Sequence, residues 1–119
     1  MRHEVLPLLD EVAERDVALL LARAAQLIYD ERCWIAEATA ADEELGLGEA
    51  DCRDLATWPT ARLRRWLRAR LAREDPDGVH PPESAEVERA LAVVRGEAVA
   101  TELVLGRRLA RRHQHLFLE

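Results

Sequence analysis

Residues Trp58 to Glu74 read WPTARLRRWLRARLARE, and their spacing sets the fold class. At 100° per residue, Leu63, Trp66, Leu67 and Leu71 share one arc, while Arg62, Arg64, Arg65, Arg68 and Arg73 occupy the opposite one. The stretch therefore predicts an amphipathic helix over about residues 59–73, with a core on one side and solvent or an anion on the other. Thr57 and Pro59 supply its start signal, because proline suits a first helical turn in which its missing N–H would have no partner. Arg70 falls among the apolar positions, where its methylenes can cover hydrophobic surface while the guanidinium stays wet.

Working outward, HEVLPLLDEV places Val5, Leu6, Leu9 and Val12 at helical spacing, and Pro7 limits how early regular hydrogen bonding begins. A short helix over about 4–12 is expected. Beyond the polar Glu14-Arg15-Asp16, a three-four rhythm of Val17, Leu20, Leu21, Ala24, Leu27, Ile28, Glu31, Trp34 and Ile35 predicts a long helix over about 16–41, with Gly46 and Gly48 breaking the stripe. LGLGEADCRD reads as a surface loop and EDPDGVHPPE as a turn. Ser84 is the expected cap of a fourth helix over about 84–95, carrying Val87, Ala90, Leu91 and Val94 on one face and stopped by Gly96. From about residue 98 to 119 the period changes to three short, partly alternating segments, a β-meander. The expected fold is mainly α, about four helices with a small C-terminal β-meander, in a single domain over 1–119.

The chain of 119 residues has a formal net charge of -6, yet the charge is divided: residues 1–60 hold 5 arginines against 14 carboxylates, and residues 61–119 hold 12 against 9. Such asymmetry hints at an anionic partner for the basic half. All 17 basic residues are arginine, so lysine chemistry is excluded. No apolar run approaches the roughly 20 residues of a membrane span, and the N-terminus lacks a secretory apolar region, which together predict a cytoplasmic protein without membrane association. Cys33 and Cys52 are isolated and read as reduced thiols.

Little in the sequence carries covalent chemistry. The only serine is Ser84, at a cap position, and the five glycines form neither G-x-G-x-x-G nor a P-loop. His113 and His115 would share one strand face, half of a metal site, but no acid or cysteine at ligand spacing completes it, so solvated or partner-facing histidines are expected. Glu43 and Glu44 read as exposed helix-end charge, and Trp34 and Trp66 as core anchors. The arginine run has two readings. It can be a solvated helix face that uses arginine where other proteins use lysine. It can also be a phosphate-contacting face, because planar forked donors match phosphate oxygens and RRLARRHQH adds a second basic cluster. One tyrosine and one phenylalanine argue against extensive base stacking and favour backbone recognition.

Four segments carry a family resemblance: RHEVLPLL (2–9), LATWPTARLRRWLRARL (55–71), SAEVERAL (84–91) and LVLGRRLARRHQHLFLE (103–119). Their order is that of the non-catalytic C-terminal part of bacterial tRNA(Ile)-lysidine synthetases, which the chain resembles over nearly its whole length. Those enzymes are N-type PP-loop ligases that use ATP to adenylate the wobble cytidine of a CAU anticodon and then attach lysine. LRRWL resembles the family's L-R-x-W-L helix, and Arg2 and His3 resemble the end of its arginine-rich hinge. The S-G-G-x-D-S loop of the catalytic domain has no counterpart here. The resemblance therefore implies an excised helical accessory domain with no catalytic residues and no cofactor of its own, ATP and magnesium belonging to the parent enzyme. Its implied partners are tRNA and the parent's N-terminal catalytic domain. Its implied RNA contacts are Arg2, His3, Arg64, Arg65, Arg68, Arg107, Arg108, Arg111 and Arg112. The sequence departs from the family where LVLGRR replaces a proline-glycine turn before the last strands, and in its acidic first half. A helical protein-interaction or oligomerisation module, using the acidic half, is the alternative class.

Overall fold

The computed structural model describes residues 2–119, with side chains from residue 11 onward. It is mainly α with a small antiparallel strand region at the C-terminus, as the spacing predicts. The chain divides into one unit that ends at Ala38 and a second, Thr39–Glu119.

The first unit is a single helix, α1 (Arg2–Ala38), and not the two helices expected over 4–12 and 16–41. Glu14, Arg15 and Asp16 are polar but bring no backbone constraint, and Pro7 forfeits a hydrogen bond near the helix start without ending it. Along α1, Val17, Leu20, Leu21, Leu27, Ile28 and Trp34 are exposed. Trp34, at 69% exposure, is thus not the core anchor expected. Periodicity identifies an apolar face; it does not say what covers it.

The second unit is built around α3 (Thr60–Leu71) and α4 (Ser84–Val94), which pack together, with α4 also lying on the meander. The meander is β3 (Ala100–Glu102), β4 (Arg108–Arg112) and β5 (His115–Leu118), antiparallel in the order β3-β4-β5. Leu63, Leu67, Leu71, Val93, Leu109 and Leu116 form the fully buried centre. A 3-10 turn (Ala40–Glu44) follows where the expected helix would have continued to 41, and the expected surface loop 45–54 runs into a short helix, α2 (Cys52–Leu55), whose Cys52 and Leu55 enter the same core. Asp51 caps α2 by accepting from the Arg53 N–H at 2.8 Å. Cys52 N–H then donates to the Gln114 carbonyl at 2.7 Å, tying α2 to the end of the sheet.

Three local expectations change. Thr57 does not start α3; its Oγ1 donates to the Asp54 carbonyl at 2.6 Å and closes α2, while Pro59 is the cap residue of α3. Ser84 is the first residue of α4 and makes no capping bond, because extended Glu83 already holds the cap position. EDPDGVHPPE is more than a turn: β1 (Arg73–Asp75) and β2 (Gly78–His80) pair antiparallel across it, with Arg73 opposite His80.

Candidate nucleic-acid interface

The face that α3 offers to solvent is set by what it buries. Leu63, Leu67 and Leu71 are inaccessible and Trp66 is 3% exposed. Trp66 Nε1–H donates to the Leu45 carbonyl at 3.0 Å, and its ring packs T-shaped against Trp58 with 6.0 Å between centroids. Rotation of α3 about its own axis is therefore blocked, and Arg64, Arg65 and Arg68 are held outward together.

Their engagement differs. Arg64 Nε lies 2.7 Å from Glu88 Oε1 on α4, a pair about half exposed on both sides. The hydrogen bond from Arg64 holds the Glu88 carboxyl below its ordinary value. Arg65 Nε donates to Thr39 Oγ1 at 3.2 Å. Arg68 makes no hydrogen bond or ion pair among the described residues. The three arginines flank a groove of about 490 Å³ between α3 and α4, whose other wall includes Ser84, Val87 and Glu88. Arg65 and Arg68 also border a second cavity of about 220 Å³ on the other flank of α3, with Arg70, Trp66, Ala69 and Glu43. Arg70 is half-buried and donates from Nη2 to the Glu43 carbonyl at 2.7 Å.

Arg62 leaves the solvent arc assigned to it. It donates from Nε and Nη2 to the two oxygens of Asp42, at 2.9 and 2.7 Å, and its guanidinium stacks 3.6 Å over the Trp58 ring. The Arg62 hydrogen bonds hold the Asp42 carboxyl below its ordinary value against the opposing effect of burial. The four-residue spacing of Trp58 and Arg62 is a signal that could have found this stack. Nothing local in sequence pointed to Asp42.

The C-terminal arginines do not form one exposed cluster. Arg107 is half-buried and donates to the Leu71 carbonyl at 3.0 Å, closing the C-terminus of α3. Arg111, also half-buried, lays its guanidinium against Gly96. Arg108 lies 3.7 Å from Glu102, and Arg112 bonds Glu119 at 2.5 Å with the Phe117 ring beside it. Arg108 and Arg112 thus share the outer strand face and each has an acidic neighbour. The side chains of Arg2 and His3 lie outside the described ones.

His113 and His115 do not share a strand face: His113 sits in the β4–β5 turn at φ 53, and only His115 is in β5. No three His, Cys, Asp or Glu side chains among the described residues stand close enough to hold a metal ion. Cys33 is an exposed free thiol; Cys52 is buried, and burial pushes its pKa up, which keeps it protonated and inert. No helix of the described residues is long and apolar enough to cross a membrane. Comparison with known proteins finds no family model, no curated protein and no solved structure that matches the chain.

Proposed function

We propose that the chain is an RNA-binding accessory domain, the tRNA-recognition part of a tRNA(Ile)-lysidine synthetase. The supporting observation is the grouping of Arg64, Arg65 and Arg68 on one outward face of a helix whose rotation the core fixes, with no hydrogen bond or ion pair on Arg68 among the described residues. Forked guanidinium donors on such a face match phosphate oxygens and release counterions on contact. Contacts of this kind position the RNA and carry no base information, so the domain's contribution to the ligase is to hold the tRNA for chemistry done elsewhere. ATP, magnesium and the PP-loop belong to the catalytic domain of the parent, and the site of action is the cytoplasm. The test is titration of the chain with the AUA-reading isoleucine tRNA, with a methionine tRNA as competitor. Binding that weakens as salt rises is expected; no binding at low salt would sink the reading. Incubated with tRNA, lysine and ATP, the chain alone should form no lysidine.

A second reading rests on α1. Its exposed apolar residues recur at the spacing of a helix that packs against a protein, which fits a protein-interaction or oligomerisation segment and equally a seat for the parent's catalytic domain. A concentration-dependent dimer in sedimentation, lost in Leu20→Glu, would favour oligomerisation.

A further inference from the structure

Along α1, Val17, Leu20, Leu21, Leu27, Ile28 and Trp34 are each more than half exposed. At 100° per residue they fall within one arc of about 140°. Leu20, Leu27 and Trp34 repeat every seven residues, and Val17, Ala24 and Glu31 each stand three before them, so residues 17–34 form a two-row seam of the coiled-coil kind. The six exposed side chains offer on the order of 500 Å² of apolar surface. That is a large part of the roughly 800 Å² each partner buries in a stable interface. One flank of the seam also carries unpaired charge. Arg23 and Asp30 lie on the same side, two helical turns or about 10 Å apart, too far to pair within one helix. Among the described residues Arg23 makes no hydrogen bond or ion pair, and Asp30 accepts only from Gln26 Nε2, at 2.9 Å.

We propose that α1 associates with a second copy of this chain as an antiparallel helix pair, Ala24 lying against Leu27 of the copy and Arg23 beside its Asp30. The proposal rests on the oligomerisation reading of α1 and adds the direction and register of the partner. A parallel copy would set Ala24 on Ala24, which leaves a gap, and Glu31 on Glu31, which places like charges in the seam. The antiparallel copy sets small against large, Ala24 on Leu27 and Val17 on Trp34. It also separates the two Glu31 carboxylates by eleven residues, about 16 Å along the axis, and leaves each of them one turn from Arg23 of the other helix. In the same register Arg23 meets Asp30 of the copy, and two-fold symmetry makes that pair twice. Leu21 and Ile28 meet across the other flank and widen the apolar contact. A foreign surface could cover the apolar arc, but only a reversed copy also answers the charge on its flank.

The experiment is sedimentation equilibrium of the whole chain over a concentration series, at low salt, with charge-swapped variants at exposed positions. The wild type should dimerise, and Leu20→Glu should abolish the dimer. Arg23→Glu and Asp30→Arg should each weaken it about tenfold, because each swap turns two attractions into two repulsions. Combined in one chain they should bring the dimer back to within about threefold of wild type. Recovery by a second change cannot come from unfolding, so the double variant separates lost pairing from lost helix. The same register puts Glu37 beside Asp16 of the copy, and Glu37→Arg should therefore tighten the dimer. In a parallel pair these flank positions face Leu21 and Ile28, and no such coupling arises. A double variant as weak as its single changes combined would remove the antiparallel pairing and leave the oligomerisation reading standing. A dimer indifferent to Leu20→Glu would place the contact elsewhere and overturn the proposal. A chain that stays monomeric at every concentration would overturn the proposal and the oligomerisation reading together, leaving α1 as a seat for a different protein.

Discussion

Trp66 ties the α3 face to the core, and its replacement should be the costliest single change in that helix. Trp66→Ala is expected to lose about 3–5 kcal/mol in denaturant melts, since it vacates a buried aromatic volume and leaves the Leu45 carbonyl without its donor. Arg64→Ala should leave the melt close to wild type, because its Glu88 contact is solvent-exposed. Arg62 behaves differently from its neighbours. Arg62→Ala strands Asp42, which is 9% exposed, and should cost about 1–3 kcal/mol, toward the lower end because Arg62 itself stays wet. The sign with pH follows from the depressed Asp42 pKa. Stability from the pair is complete above the ordinary aspartate value of 3.8 and is lost as pH falls through the lowered one. Wild type should therefore lose stability steeply below about pH 4, and Arg62→Ala less so, when urea midpoints are followed across an acid series. At this scale sequence separated Trp66 from Arg64 correctly but treated Trp34 like Trp66. Both stand at helical spacing, and only the presence of covering residues, a tertiary fact, distinguishes them.

Elements were legible where a period ran long enough to repeat. The residues the 3.6 period selects on α3 and α4 are all buried, although α4 also buries Glu86 and Val93, which the period did not select, and the meander follows from the change of period after Gly96. The β1–β2 hairpin was not legible, since three-residue strands offer no alternation to count, and the acidic polar stretch inside α1 resembled a break because charge density says little about backbone geometry. Turns give two predictions. Gly96 ends α4 at φ +80, and a Cβ there would also meet Arg111 Nη1 at 2.8 Å. Gly96→Ala should destabilise by about 1–2 kcal/mol, the cost of a left-handed side chain, with Arg111 swinging away to relieve the contact. The β4–β5 turn errs in the opposite direction. His113 and Gln114 both hold positive φ, 53 and 66, where Asn-Gly is preferred. His113→Asn with Gln114→Gly should raise stability by about 0.5–1 kcal/mol in thermal melts, without disturbing the Cys52 bond, which uses the Gln114 backbone.

For the whole molecule, the division of charge acquires a structural meaning in the second unit. Most of its arginines are occupied internally: Arg62 by Asp42, Arg107 by Leu71, Arg112 by Glu119. Among the described residues Arg68 has no such partner, and Arg64 holds only a surface carboxylate, which leaves both able to meet an anion. Of the arginines implied by the family resemblance in the C-terminal segment, half-buried Arg107 and Arg111 are less available than exposed Arg65 and Arg68, while Arg108 and Arg112, each beside a carboxylate, are about as exposed as Arg64, a difference that residue type could not reveal. The prediction for RNA binding follows. The logarithm of the affinity for tRNA should fall linearly with the logarithm of salt concentration, and each phosphate contact removed should shallow that slope by roughly 0.7–0.9. Arg68→Ala should lose more than Arg64→Ala, because Glu88 already competes for Arg64. The converse change carries the opposite sign: Glu88→Gln frees Arg64 and removes a like charge from the groove, so it should tighten tRNA binding and steepen the slope. These effects should appear for any tRNA of similar shape, since phosphate contacts do not read bases. A salt series on wild type, Arg68→Ala and Glu88→Gln measures all three, and three coincident lines would mean that the arginines of α3 only solvate their helix.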